Sequence, residues 1–152
     1  MVRPIIKKIV MVEKTNVFDV QQETEILEPQ ASAGTATSLR WSINMVTTNS
    51  AGDQLVHMFW AIVHLREGET ANLISLTDGS TPYVPEQDVM AFGVLSATDR
   101  GSSAGPAVAR SEGTSTAQRK LKIGDSIVFI AKGHSNQNSS DIFSTIQIFY
   151  KT

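Results

Sequence analysis

The chain contains no cysteine. Disulfide staples and thiolate-held metals are therefore excluded, and stability must come from packing alone. Charge is scarce as well. Asp, Glu, Lys and Arg make up 18% of the 152 residues, and the formal net charge is −2. One copy lacks the strong positive field of a typical nucleic-acid-binding domain. Aromatic residues are few, at 7%, and no window carries helix formers at helical spacing, so no helix is expected. Long uncharged apolar runs are missing from the start of the chain. The segment MVRPIIKKIVMVEK is broken by Lys7 and Lys8. It is too short and too charged for a signal peptide or a membrane span. The expectation is a soluble protein with no membrane partner, not secreted by a signal peptide.

Catalytic signatures are missing too. There is no Gly-x-Ser-x-Gly elbow and no glycine-rich phosphate loop ahead of a helix. The three histidines are His57, His64 and His134. His57 and His64 sit in one apolar run at an odd separation, so on a strand they face opposite sides. They cannot join in a two-histidine, one-carboxylate metal site without a bulge. His134 falls in a polar stretch and reads as solvated. Glu23 and Glu25 share a strand face, but two solvated carboxylates are not a perturbed catalytic pair. No catalytic residue, metal ligand or cofactor is assigned, and the chain is not expected to be an enzyme.

What remains is a series of short apolar segments separated by Ser, Thr, Gly and Asn. Residues 5–14 and 17–27 read as strands, and Pro29 and Gly34 mark the loop that follows. Residues 39–47 alternate, with Leu39, Trp41, Ile43 and Met45 on one side and Arg40, Ser42 and Asn44 on the other. That is the pattern of a half-buried antiparallel strand. After the turn cluster Asn49–Asp53 comes the most apolar run, Leu55 to Leu65, whose two faces are both apolar. Its Val, Ile, Phe and Trp content favours strand over helix. A short apolar stretch, Leu73 to Leu76, precedes a polar loop over 77–88. Val89 to Ala97 reads as a strand with Gly93 at a possible bulge site. Residues 99–116 read as a long loop. In RKLKIGDSIVFIA, two strands flank a Gly124-Asp125 turn, as in a β-corner or a hairpin. Residues Ile142 to Lys151 close the chain.

About eight antiparallel strands in one domain, spanning 1–152, fit an all-β, two-sheet sandwich: an eight-stranded jelly roll. In such a sandwich one face of each strand should meet water. The doubly apolar run does not, so either the chain's own loops cover it or another subunit does. The second alternative makes Phe59, Trp60, Tyr83 and Phe129 candidates for a subunit interface. Two small basic clusters stand out, Arg3 with Lys7 and Lys8, and Arg119 with Lys120 and Lys122. Lysines can protect an edge strand, or the clusters can contact nucleic-acid phosphates. On a strand the second cluster is split between faces.

The stretch RKLKIGDSIVFIAKGHSNQN with the closing DIFSTIQIFYKT resembles the C-terminal strands of single jelly-roll capsid proteins, those of small circular Rep-encoding single-stranded DNA viruses. FWAIVHLREGETANLISL and VPEQDVMAFGVL resemble their central strand and the strand before a long variable loop. Together these cover roughly the last two-thirds of the chain. The resemblance implies a structural subunit that self-assembles into a small icosahedral shell around single-stranded DNA. It implies a virion protein assembled inside the host cell, whose partners are copies of itself, the DNA, and a host receptor met through loops. Such proteins usually carry an Arg/Lys-rich N-terminal arm, where this sequence offers only Arg3, Lys7 and Lys8. A non-catalytic binding module, carbohydrate-binding or TNF-like, is the alternative on the same fold. The scarcity of loop aromatics, Tyr83 apart, counts against a sugar site.

Overall fold

The strand read from residues 39–47 runs further in both directions, although its alternation breaks at a register shift between Ala36 and Ser38. In the computed structural model it belongs to β3, Gly34–Thr48, with Leu39, Ile43 and Met45 buried and Arg40 exposed. The structure describes residues 4–14, 21–48, 54–71, 88–99, 107–116, 118–134 and 139–152. The other strands are β1 (Ile6–Lys14), β2 (Gln22–Leu27), β4 (Gln54–Leu65), β5 (Asp88–Asp99), β6 (Ala107–Ser115), β7 (Arg119–Leu121), β8 (Ser126–His134) and β9 (Ser139–Lys151). No helix occurs among the described residues. The stretches 15–20 and 72–87 lie outside them, and with them Leu73–Leu76 and nearly all of the expected polar loop.

All pairings are antiparallel. One sheet has the order β1-β9-β3-β6, and the other β2-β8-β4-β5. Edge strand β1 lies beside β2, and β5 beside β6. The eight longer strands thus pass back and forth between two layers, with β4 and β5 consecutive in one sheet, in the wiring of a jelly roll. The count is nine rather than eight because β7, three residues long, adds a short pairing to the start of β3.

Residues 99–116 are not one long loop, because 107–115 form edge strand β6. The alternation is there: Ala107, Ala109, Ser111, Gly113 and Ser115 are half-buried, and Val108, Arg110, Glu112 and Thr114 exposed. Small inward residues give almost no hydrophobic signal, which hides the strand in the sequence. The packing explains their size. Trp41 lies directly opposite Gly113, and a Cβ there would overlap its indole ring. The other sheet repeats the device. Trp60 lies opposite Gly93, where a Cβ would come 2.8 Å from Trp60 Cζ2. Gly93 is therefore not a bulge residue. It is the space that Trp60 occupies. The register shift in β5 falls instead between the partners of Ile62 and Val63, and turns both Met90 and Ala91 inward.

The two indoles meet across the core with ring centroids 5.5 Å apart, and Trp60 stacks on Phe129 at 6.4 Å. Around them Ile26, Leu27, Leu39, Ile43, Met58, Ile62, Ile127 and Ile146 fill the interior. Gly113→Ala is expected to lower stability by about 1–3 kcal/mol through overpacking against Trp41. Urea unfolding measures this. An unchanged midpoint would mean that the ring moves aside without cost.

Candidate functional site

β7 pairs with β3 in one sheet, and β8 pairs with β2 and β4 in the other. The Gly-Asp turn between them is therefore a corner that carries the chain from sheet to sheet, not a hairpin. Gly124 sits there at φ 87°, a backbone conformation that favours glycine. The Asp125 N–H donates to Lys122 O at 3.1 Å and closes the turn. Gly124 N–H donates to Gln30 O, and Gln30 N–H to Asp125 O. The loop after β2 is thus clasped against the corner.

A polar network braces this corner. His64 Nδ1 lies 2.8 Å from Asp88 Oδ2, and His64 Nε2 lies 2.9 Å from Asp125 Oδ2. An ionised carboxylate only accepts, so each ring nitrogen must carry a hydrogen for both contacts to be hydrogen bonds. Asp125 also accepts from the N–H of Lys122 at 2.9 Å and is hydrogen-bonded to the Glu67 backbone. Burial pushes the Asp125 carboxyl up. The donors from Lys122, His64 and Glu67 outweigh that and hold it below its ordinary value. Arg119 Nε donates to both Asp88 oxygens, at 2.9 and 3.1 Å. Arg119 lies in one sheet and Asp88 in the other, so this pair ties the layers together. Both His64 nitrogens are spent on carboxylates. Among the described residues no group of His, Asp or Glu is arranged to hold a metal ion.

The second basic cluster divides as its strand parity requires. Arg119 turns to Asp88. Lys120 and Lys122 are exposed and line a cavity of about 350 Å³ with His64, Arg66, Glu67, Ile123 and Asp125. The first cluster also divides. Lys7 is exposed on the outer face of β1, and Lys8 is half-buried on the opposite face. Arg3 lies outside the described residues. No local pattern marks Arg66 or Asp88, which reach the corner only because β4 ends there and β5 begins there. Asp125 was visible only as half of a turn. His64 braces the corner through both ring nitrogens.

The interface candidates need correction. Trp60 and Phe129 are buried between the sheets, each about 1% exposed, so neither can anchor a partner without opening the sandwich. Phe59 does point to the outer face of its sheet and packs on a second apolar cluster, Ala61, Val63, Leu65, Val128 and Ile130. That cluster is already buried within one chain, with Ala71 and Val89 packed against it. From Trp60 to Leu65 the doubly apolar strand is therefore a central strand covered on both faces by its own chain. Tyr83 lies outside the described residues. His57 faces the outer side, away from His64, and its Nδ1 lies 2.7 Å from Ser96 Oγ.

Exposed apolar residues gather elsewhere. On β1, Ile9 and Met11 stand on the outer face of one sheet, with Phe143 of β9 nearby. On β5, Phe92 and Val94 stand on the outer face of the other sheet, beside Phe59. The two strips lie on opposite edges and on opposite faces of the sandwich.

The strand order makes the chain an antiparallel jelly-roll protein. No family model matches its sequence, and no curated protein does. Among solved structures it is similar to the Eiger TNF from S. frugiperda, at 10% identity and TM-score 0.43, over 99% of this chain and 94% of that one. It is also similar to an aminopeptidase from a marine sediment archaeon, Thaumarchaeota archaeon, at 12% identity and TM-score 0.40. That match covers 87% of this chain and 25% of the aminopeptidase. The structure of infectious bursal disease virus Gx strain follows at 10% identity and TM-score 0.30, over 94% and 36% of the two chains. Likenesses this weak carry no functional argument, and the fold assignment rests on the strand order itself.

Proposed function

We propose that the chain is a capsid subunit that associates with copies of itself into a closed icosahedral shell enclosing single-stranded DNA. The observation that carries this reading is the pair of exposed apolar strips, Ile9 with Met11 and Phe92 with Val94. Contiguous apolar patches on a soluble domain mark interaction surfaces. Two different patches at opposite corners suit a head-to-tail contact, which closes into rings when the rotation allows. The jelly-roll wiring supports a rigid wedge, and the resemblance of the corner and closing strands to capsid proteins supports the same role. The shell would assemble inside the host cell.

Negative-stain electron microscopy of the purified protein tests this. Uniform hollow particles are expected. A clean monomer or a small closed oligomer at high concentration, across several pH and salt conditions, would overturn the shell. Ile9→Glu with Met11→Glu is expected to abolish particles. Both side chains are exposed, so subunit stability should stay within about 0.5 kcal/mol. A shell repeats each contact many times, and a modest loss per contact is multiplied. Normal particles from this variant would remove β1 from the interface.

A further inference from the structure

Three cationic side chains converge on the corner cavity. Arg66, Lys120 and Lys122 line it, against Glu67 and Asp125. Asp125 is not available to oppose them outward, since His64, the Lys122 N–H and the Glu67 backbone already engage it. Two other cavities differ. One on the outer face of the β3-containing sheet has both Arg40 and Glu112 on its walls, and Glu112 is bonded to Arg110. One beside the clasped loop has Glu28 as its charged side chain.

We propose that the corner cavity binds a phosphate group, with Lys120, Lys122 and Arg66 as its cationic walls. The ligand chemistry is a phosphodiester of single-stranded nucleic acid or a free phosphate ion. The first source rests on the capsid reading and gives it a residue-level contact. The walls are held on fixed elements, as a preformed site requires. Lys120 is paired opposite Thr35. Lys122 belongs to the turn that Asp125 closes. Arg66 is pinned by its N–H to Glu69 Oε2 at 2.9 Å and its carbonyl to the Glu69 N–H at 3.0 Å. Flexible lysine heads beside a planar guanidinium can reach the oxygens of one tetrahedral anion. Arg119 takes no part, because Asp88 holds it.

Fluorescence anisotropy of a labelled oligothymidylate, titrated with the protein at several salt concentrations, reads the first source. Chemical-shift mapping with inorganic phosphate reads the second. Lys120→Glu with Lys122→Glu is expected to weaken oligonucleotide binding at least tenfold and to flatten its salt dependence. Arg66→Gln should weaken it in the same direction. Lys7→Glu with Lys8→Glu serves as a control of equal charge change and should have a smaller effect. Shifts confined to the corner with phosphate, without oligonucleotide binding, would support the site with a free anion as its ligand. Wild-type affinity in the corner variants, or an equal loss in the control, would overturn it. So would the absence of both kinds of binding. Binding through the corner by a protein that forms no particles would sink the capsid reading and leave this site standing.

Discussion

Trp60→Ala is expected to destabilise the subunit strongly rather than release a fully stable subunit from an assembly. The indole is about 1% exposed and sits between Trp41 and Phe129. Removing a buried tryptophan costs about 3–5 kcal/mol, through lost burial and the cavity left behind. Domains of this kind are stable by only about 5–15 kcal/mol in total. The loss would be larger here than at a simple core position, because Gly93 exists to admit that ring. With the indole gone, the glycine has no side chain of its own to fill the gap. Urea unfolding with near-ultraviolet circular dichroism checks it. A fully stable subunit that no longer assembles would return Trp60 to the interface and contradict its burial. Trp60→Phe should lose less, since a ring would still stack on Phe129.

Asp125→Ala should produce the second large effect, a loss of about 3 kcal/mol, because it strips a buried group of its charged partner. The Lys122 N–H, the Glu67 backbone and His64 Nε2 would all lose one acceptor together. The corner would then be free to open where the two sheets exchange the chain. The same carboxyl sets a pH dependence. Its folded-state value is depressed below the ordinary 3.8. Its contribution is therefore complete above 3.8 and is lost as pH falls through the lower folded-state value. Stability measured against pH should drop on the acid side in the wild type. Asp125→Asn should be less stable near neutrality and should show a flatter acid limb. A variant with the same acid limb as the wild type would place the acid sensitivity in other carboxylates.

How legible each feature was depended on how it is encoded. The alternation of Leu39, Trp41, Ile43 and Met45 follows from strand geometry, and the structure keeps it. β6 escaped notice because its inward residues are small, and the reason they are small is a tryptophan on another strand. Gly93 carries the same lesson, since a glycine's purpose cannot be read without the ring that lies over it. The corner was legible as a turn, but not as a crossing between sheets. That required knowing that β7 pairs with Gly34–Ala36 and β8 with β4.

The sequence by itself determined the class of fold. Period-2 patterning, turn residues between apolar runs and the lack of helical spacing are local properties, and they survive without knowing any contact. It also separated Arg119 from its lysine neighbours and His57 from His64, since parity on a strand is local too. Only the tertiary structure decided which apolar face was inside. Phe59 and Trp60 are adjacent and both apolar, yet one lies outside its sheet and the other fills the core. Tertiary structure alone also joined His64, Asp88, Arg119 and Asp125, and set Arg66 beside Lys120 and Lys122. Those residues come from three segments, and burial and ion pairing depend on distances that chain order does not contain.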